Sequence, residues 1–182
     1  PALAICGPAG AGKTHLAHIL AGENGASVFD ARDIASLSSD IGRLAVVDNI
    51  DKCADPKRLL ALIEERRTKG AKLALAGRGR PADWAEGLKD LATRLEAMTR
   101  ATLEEPDEAL LRAVIGRRFA ERQWRTGEGV ADYAAPRLPR TFAAAAAFVD
   151  AIGAAAIADR APINVTLARK VLAELSEARA AE

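Results

Sequence analysis

The chain contains the stretch Gly7-Pro8-Ala9-Gly10-Ala11-Gly12-Lys13-Thr14, which fits the pattern G-x-x-x-x-G-K-[ST] without a mismatch. Glycines in this pattern allow a tight loop whose backbone N–H groups turn inward around phosphate groups. Lys13 supplies a positive charge for the β- and γ-phosphates, and the Thr14 hydroxyl is placed to bind Mg²⁺. An apolar run precedes the loop and a helical pattern follows it, so the helix dipole favours the same anion. The stretch therefore predicts a site for nucleotide phosphates.

Short apolar runs alternate with helical patterns on both sides of this loop. The predicted strands are Leu3–Cys6, Val28–Phe29, Leu44–Asp48, Lys72–Ala76 and Thr99–Leu103, and the predicted helices are Lys13–Ala21, Pro56–Thr68 and Leu88–Leu95. Strands that alternate with helices are typical of a parallel sheet. The pattern predicts an α/β subdomain over residues 1–104, with five parallel strands flanked by helices.

The pattern changes at Glu104-Glu105-Pro106, after which no strand is predicted. Asp107 is a candidate cap for a helix that runs to about Arg125. Further helices are predicted at Val130–Leu138, Arg140–Ala158 and Val165–Arg179. Residues 105–182 are therefore expected to form a small all-α subdomain.

The charge of the chain is almost balanced, with 26 Lys and Arg against 25 Asp and Glu. Residues 1–104 carry 15 basic and 14 acidic residues, and residues 105–182 carry 11 of each. Domains that bind DNA mainly through its phosphates usually have a basic excess, so we expect weak or no direct DNA binding. Two cysteines fit a reducing compartment, and the absence of an apolar run of about 20 residues argues against a membrane protein. A cytoplasmic location is expected.

An acidic residue ends the apolar run Leu44–Asp48. A carboxylate at the end of a buried strand can hold Mg²⁺ opposite a phosphate loop, and Asp48 is the candidate for this role. The next residue is Asn49, where a second acid would activate the attacking water. An amide cannot act as a base at neutral pH, so slow intrinsic hydrolysis is expected. Asp51 is the alternative base.

These motifs resemble the AAA+ ATPases of the bacterial replication-initiator branch, the DnaA/Hda family, over almost the whole chain. Val46–Asp51, which reads V-V-D-N-I-D, is most similar to the Hda-type regulators. Ala76–Pro81 resembles the family's strand ending, with Gly77 about where other members carry a polar sensor-1 residue. The resemblance implies a P-loop AAA+ fold with a helical lid, and ADP or ATP with Mg²⁺ as ligands between the two parts.

Two further residues receive roles from this resemblance. Asp90–Leu95 resembles the segment called box VII, which places an arginine finger on Arg94, acting in trans on a neighbouring molecule's nucleotide. Leu138–Phe142 resembles the start of the lid helix with the sensor-2 arginine, which maps to Arg140 as a nucleotide-binding residue.

The same resemblance implies a function. DnaA inserts extra helices where this chain has only residues 31–43, and it carries a DNA-binding domain after the lid, so the Hda-type regulators are favoured. Such a regulator promotes hydrolysis of ATP bound to DnaA. It binds the DNA polymerase sliding clamp through a short peptide, which we expect upstream of Pro1. A homo-oligomer is compatible with the resemblance. The alternatives are a DnaA-like initiator or DnaC-like helicase loader with its own ATP cycle, and a non-catalytic scaffold that nucleotide stabilises.

Overall fold

The computed structural model describes residues 1–38 and 41–180 of the chain. The chain divides into two units, Pro1–Glu104 and Glu105–Glu182. Within the described residues, no helix has the length and apolar character that crossing a bilayer requires. The segment 31–43 begins with a 3-10 helix over Ala31–Ser36, and its residues 39 and 40 lie outside the described part of the chain.

A parallel sheet organises the first unit. Its five strands are β1 (Ala2–Cys6), β2 (Val28–Asp30), β3 (Leu44–Asp48), β4 (Lys72–Gly77) and β5 (Thr99–Thr102). The strand order is β2-β3-β4-β1-β5, so β1 lies between β4 and β5, with Ile5 opposite both Ala76 and Ala101. The prediction of a five-stranded parallel sheet is confirmed.

Helices cover both faces of this sheet. They are α1 (Lys13–Glu23), α2 (Pro56–Thr68) and α3 (Lys89–Glu96). Side chains alternate across a strand, so Ala4 and Cys6 pack with leucines of α2 and α3, whereas Ile5 packs with Ala17 and Ala21 of α1. Burial on both faces explains why β3 is apolar along its length, since all five of its residues are buried.

The second unit is helical. It contains α4 (Glu108–Glu121), α5 (Val130–Ala134), α6 (Phe142–Ala158) and α7 (Val165–Ala180). The Asp107, Thr141 and Asn164 side chains each accept a hydrogen bond from a backbone N–H in the first turn of α4, α6 and α7. Phe148 and Ile152 of α6 are fully buried in a core that all four helices share.

The predicted helix boundaries in this unit were wrong at three places. The helix predicted over Val130–Leu138 is α-helical only to Ala134, and a 3-10 turn over Ala135–Arg137 follows, because Pro136 has no N–H for the helical hydrogen bond. The helix predicted from Arg140 begins at Phe142, after its cap Thr141. The helix predicted to run to Arg125 ends at Glu121, two residues before Gln123 takes a positive φ of 55°.

Candidate functional site

The loop 7–12 connects the carboxyl end of β1 to the start of α1. Gly12, the last residue before α1, has a φ of 88°, a conformation that residues with a Cβ atom rarely adopt. Glycine at this position lets the chain turn from the strand directly into the helix. The amino end of α1, with its unpaired N–H groups, therefore begins at the loop.

Lys13 folds back onto this loop. Its Nζ donates a 2.6 Å hydrogen bond to the carbonyl oxygen of Pro8, and the residue is only 8% exposed. Burial lowers the pKa of Lys13, and the Arg78 guanidinium lowers it further, whereas the carboxylates of Asp51 and Asp48 raise it. The ammonium is thus held beside the loop, in a field set by one neighbouring cation and two carboxylates.

Thr14 and Asp48 bring α1 and β3 together. Asp48 is 5% exposed at the carboxyl end of β3, and its Oδ2 accepts a 2.6 Å hydrogen bond from the Thr14 hydroxyl. Hydroxyl and carboxylate oxygens are the ligands that Mg²⁺ prefers in proteins. The donor set of these two adjacent side chains therefore fits the metal that the sequence predicts.

Asn49 follows Asp48 in a left-handed conformation, with a φ of 56°. Asparagine tolerates this conformation better than most residues do. Its Nδ2 donates a 2.8 Å hydrogen bond to Oδ2 of Asp30, the last residue of β2. Asp30 also accepts hydrogen bonds from the side chain and backbone of Arg32, and the Arg32 and Asn49 contacts hold the pKa of Asp30 well below its ordinary value. The Asn49 amide is therefore fixed by an ionised carboxylate.

Arg78 is a site residue that the sequence did not predict. It follows the last residue of β4, where its backbone N–H donates a 2.9 Å hydrogen bond to Oδ1 of Asp51. Its Nε lies 3.2 Å from Oδ2 of the same carboxylate. Both oxygens of Asp51, the alternative base, are therefore engaged by Arg78.

These groups surround one cavity of about 220 Å³. It is lined by Ala9, Gly10, Lys13, Thr14, Asp48, Asn49, Asp51, Gly77 and Arg78. Of the other predicted loop residues, Gly7, Pro8, Ala11 and Gly12 shape the loop without lining the cavity. The carboxyl ends of β1, β3 and β4 thus bring the phosphate loop, Asp48 and Asn49 together.

Arg94 lies elsewhere on the first unit. Its guanidinium forms an ion pair with Glu64 of α2, and its side chain is 40% exposed. It lines a second cavity of about 400 Å³ together with the first residues of β1 and β5, which are Ala2 and Thr99. These are the amino ends of the strands, so Arg94 and the phosphate loop lie at opposite edges of the sheet, separated by the length of β1, about 16 Å.

Arg140 belongs to the second unit. It lies two residues before α6, its side chain is 59% exposed, and its guanidinium lies 3.9 Å from Oε1 of Glu108. At that distance, and with both side chains at least half exposed, the ion pair holds the arginine only weakly.

No protein-family model matches the sequence, and no curated protein matches it. Solved structures do match the fold. Domain III of the Thermotoga maritima replication initiation protein DnaA has a TM-score of 0.81 and 16% identity, over 95% of this chain and 83% of that one. The RuvB Holliday junction branch migration motor of Thermotoga maritima has a TM-score of 0.75 and 20% identity, over 95% of this chain and 61% of that one.

A replication initiator DnaA bound to AMPPCP and single-stranded DNA has a TM-score of 0.71 and 16% identity, over 84% of this chain and 55% of that one. The chain therefore spans less than two thirds of RuvB and of this DnaA structure. At these identities the likeness concerns the fold. The chain has the P-loop AAA+ fold, with a five-stranded parallel sheet, flanking helices and a helical C-terminal part.

Proposed function

We propose that the chain is a nucleotide-binding AAA+ regulator of bacterial DNA replication initiation, which promotes hydrolysis of ATP bound to DnaA. The observation that carries the proposal is the convergence of Lys13, Thr14 and Asp48 on one cavity beside the phosphate loop. The DnaA fold and the AMPPCP bound in one DnaA structure support nucleotide as the ligand.

Different residues of the cavity are proposed to bind different parts of the ligand. Lys13 and the N–H groups at the start of α1 bind the phosphate oxygens of ADP or ATP. Thr14 and Asp48 hold Mg²⁺, which supplies charge neutralisation at the phosphates when it is bound. In the second unit, Arg140 is proposed as a further nucleotide-binding residue, and its weak pairing with Glu108 leaves it available.

Asn49 favours a regulatory role for the chain rather than an ATP hydrolysis cycle of its own. Its Nδ2 is committed to Asp30, and an amide oxygen can orient a water molecule without taking its proton. We therefore expect the chain alone to hydrolyse ATP slowly.

Arg94 is the proposed group that acts in trans. It lies at the sheet edge opposite to the chain's own phosphate cavity, which supports a contact with the nucleotide of another molecule. An arginine placed on transition-state charge can accelerate hydrolysis by about 10³–10⁵. DnaA is the proposed recipient in the cytoplasm, and the DNA polymerase sliding clamp is a further proposed partner.

A single-turnover experiment tests this function. DnaA is loaded with γ-labelled ATP, freed from unbound nucleotide and mixed with the chain, and phosphate release is compared with DnaA alone. We expect release to accelerate in the mixture, while the chain alone with ATP releases phosphate slowly. Fast hydrolysis by the chain alone would favour an initiator or helicase loader. No acceleration and no hydrolysis would favour a scaffold.

A further inference from the structure

Glu64 of α2 lies between two arginines. Its Oε2 accepts hydrogen bonds from Nε and Nη2 of Arg67, at 3.2 and 3.0 Å, three residues further along the same helix. Its Oε1 forms the ion pair with Nη1 of Arg94, in the last turn of α3. Each oxygen of the carboxylate therefore serves a different guanidinium, and one negative charge is shared by two positive charges.

The contact with Glu64 satisfies Arg94 only in part. The Nε atom of Arg94 is buried, and within the described part of the chain it has no hydrogen-bond partner. A buried donor without a partner costs free energy, because it has lost its contact with water and gained no acceptor. A guanidinium that leaves Glu64 recovers an acceptor for this atom from water or from a phosphate oxygen. The unpaired Nε therefore weakens the hold of Glu64 on Arg94.

Arg67 competes with Arg94 for the same carboxylate. Its side chain is 69% exposed, and two of its nitrogens already contact Oε2 of Glu64. When Arg94 leaves, Glu64 therefore remains paired with a cation, which lowers the cost of its departure. Without Arg67, the attraction of Glu64 for Arg94 would no longer be shared.

Both arginines of this cluster, but not Glu64, line the cavity of about 400 Å³ at the amino ends of the strands. Arg66 lines it as well, and its guanidinium donates to the carbonyl oxygens of Gly42 and Lys72, which position its charge without cancelling it. An anion that enters this cavity therefore meets arginine side chains first. Phosphate oxygens accept N–H bonds from a guanidinium as a carboxylate does, so a phosphate at this edge competes with Glu64 for Arg94.

We propose that Glu64 and Arg67 are positioning residues for Arg94. Glu64 holds the guanidinium back until a phosphate of another molecule withdraws it, and Arg67 weakens that hold by sharing the carboxylate. The proposal rests on the trans role of Arg94 proposed above. It adds that competition around Glu64 sets how readily Arg94 acts on its partner.

Single-turnover phosphate release from ATP-loaded DnaA, measured over a range of chain concentrations, tests the proposal. Glu64→Gln keeps the size of the side chain and an acceptor for Arg67, but it removes the charge that holds Arg94. We therefore expect half-maximal acceleration at an about threefold lower concentration of the chain. Arg67→Ala should raise that concentration by about threefold, because Glu64 then holds Arg94 more strongly.

Matched controls come from the same helix. Glu65 pairs with Arg58, and Lys57 is an exposed cation outside the cavity, so Glu65→Gln and Lys57→Ala should both behave as the parent chain. The double variant, with Glu64→Gln and Arg67→Ala together, separates an indirect role of Arg67 from a direct contact with DnaA. Because Arg67 is proposed to act only through Glu64, the double variant should match Glu64→Gln. A double variant as weak as Arg67→Ala would overturn the proposal.

The NMR signal of the Arg94 Nε–H group, identified by its loss in Arg94→Ala, tests the same contact without DnaA. Its exchange with water should be slow in the parent chain and in Arg67→Ala, and about tenfold faster or more in Glu64→Gln. Equal exchange in the parent chain and Glu64→Gln, with acceleration of DnaA intact, would defeat only the positioning proposal. If the unmodified chain does not accelerate release at all, the proposed function fails and the positioning proposal fails with it.

Discussion

Oγ1 of Thr14 donates a hydrogen bond to Oδ2 of Asp48 at 2.6 Å, joining the first turn of α1 to the last residue of β3. Thr14 and Asp48 are 34 residues apart in the chain. The contact fixes the two oxygen ligands proposed for Mg²⁺ next to each other without any help from Lys13. The charge proposed to bind phosphate is therefore carried by Lys13, whereas the contact that joins α1 to β3 is made by Thr14 and Asp48.

Replacing Lys13 tests that separation. Lys13→Ala removes the buried ammonium and keeps the Thr14–Asp48 hydrogen bond, so we expect ADP affinity to fall by about 100-fold while the melting temperature is unchanged or slightly raised. Burial already disfavours the charged lysine, which is why its loss need not destabilise the fold. Calorimetry and thermal unfolding measure the two effects. Lys52→Ala, at an exposed lysine outside the cavity, is the control, and unchanged ADP affinity in Lys13→Ala would contradict the phosphate site.

Arg94→Ala should abolish the effect of the chain on DnaA and leave the stability of its own fold nearly unchanged. Glu64 also accepts hydrogen bonds from Arg67, so the carboxylate keeps a partner and we expect a loss of at most about 1 kcal/mol in unfolding free energy. ADP affinity of the chain should stay the same, whereas the acceleration of phosphate release from DnaA should disappear. Single-turnover release and calorimetry measure these outcomes.

Two controls isolate the Arg94 side chain. Lys89→Ala removes an exposed cation from the same helix and should keep the acceleration. Glu64→Gln removes the ion pair with Arg94 but leaves its guanidinium in place, so acceleration should persist. Full stimulation by Arg94→Ala would show that the arginine serves only as a surface ion pair.

Single-stranded DNA should bind weakly. Both units carry almost equal numbers of acidic and basic residues, which gives little counterion release on contact with phosphates. We expect a dissociation constant above about 1 μM for a labelled oligonucleotide at physiological salt, measured by anisotropy. Tighter binding would revive the initiator or loader alternative.

Asp30 makes the free energy of unfolding depend on pH in the acidic range. Hydrogen bonds from Arg32 and Asn49 hold its pKa below the ordinary 3.8, so the folded chain favours the carboxylate. Its stabilising contribution is complete above about pH 5 and is lost as the pH falls through the lower pKa of the folded state. Because Arg32 is largely exposed, we expect Asp30→Asn to cost about 1 kcal/mol at pH 7.

Urea unfolding at several pH values measures this contribution. The difference between the parent chain and Asp30→Asn should be smaller at about pH 3 than at pH 7. A difference for Asp30→Asn that is constant across this range would refute the assignment.

Local signals explain why the sheet and the loop could be predicted from the sequence. The phosphate loop is a continuous motif, and the buried strand Leu44–Asp48 is recognisable from its uninterrupted apolar run. The sequence shows that Asn49 lacks the carboxylate of a catalytic base. Its hydrogen bond to Asp30, however, depends on the pairing of β2 with β3. That pairing joins residues 18 apart and has no local pattern.

The place of Arg78 in the site could not be predicted, because it depends on residues outside the turn that carries it. Ile50 and Trp84 fill the space beside Gly77, and Asp51 approaches Arg78 from 27 residues earlier in the chain. In the sequence, Arg78 is one of two arginines in a polar turn, and nothing distinguishes it from Arg80. The 3-10 turn at Pro136 is a different case, because its cause is local. Proline has no backbone N–H for the helical hydrogen bond, so the sequence itself carries the signal that shortens the predicted helix.

The opposite positions of Arg94 and the phosphate loop restrict the symmetry of any contact that uses both. One molecule offers the amino-end edge of its sheet, and the other receives it at the carboxyl-end edge, so the two surfaces are different. A two-fold axis can satisfy such a contact only if the arginine and the loop of each molecule face the same partner, so that both contacts form at once. Without that axis the contact is head-to-tail, and it leaves one free edge of each kind on a two-molecule complex.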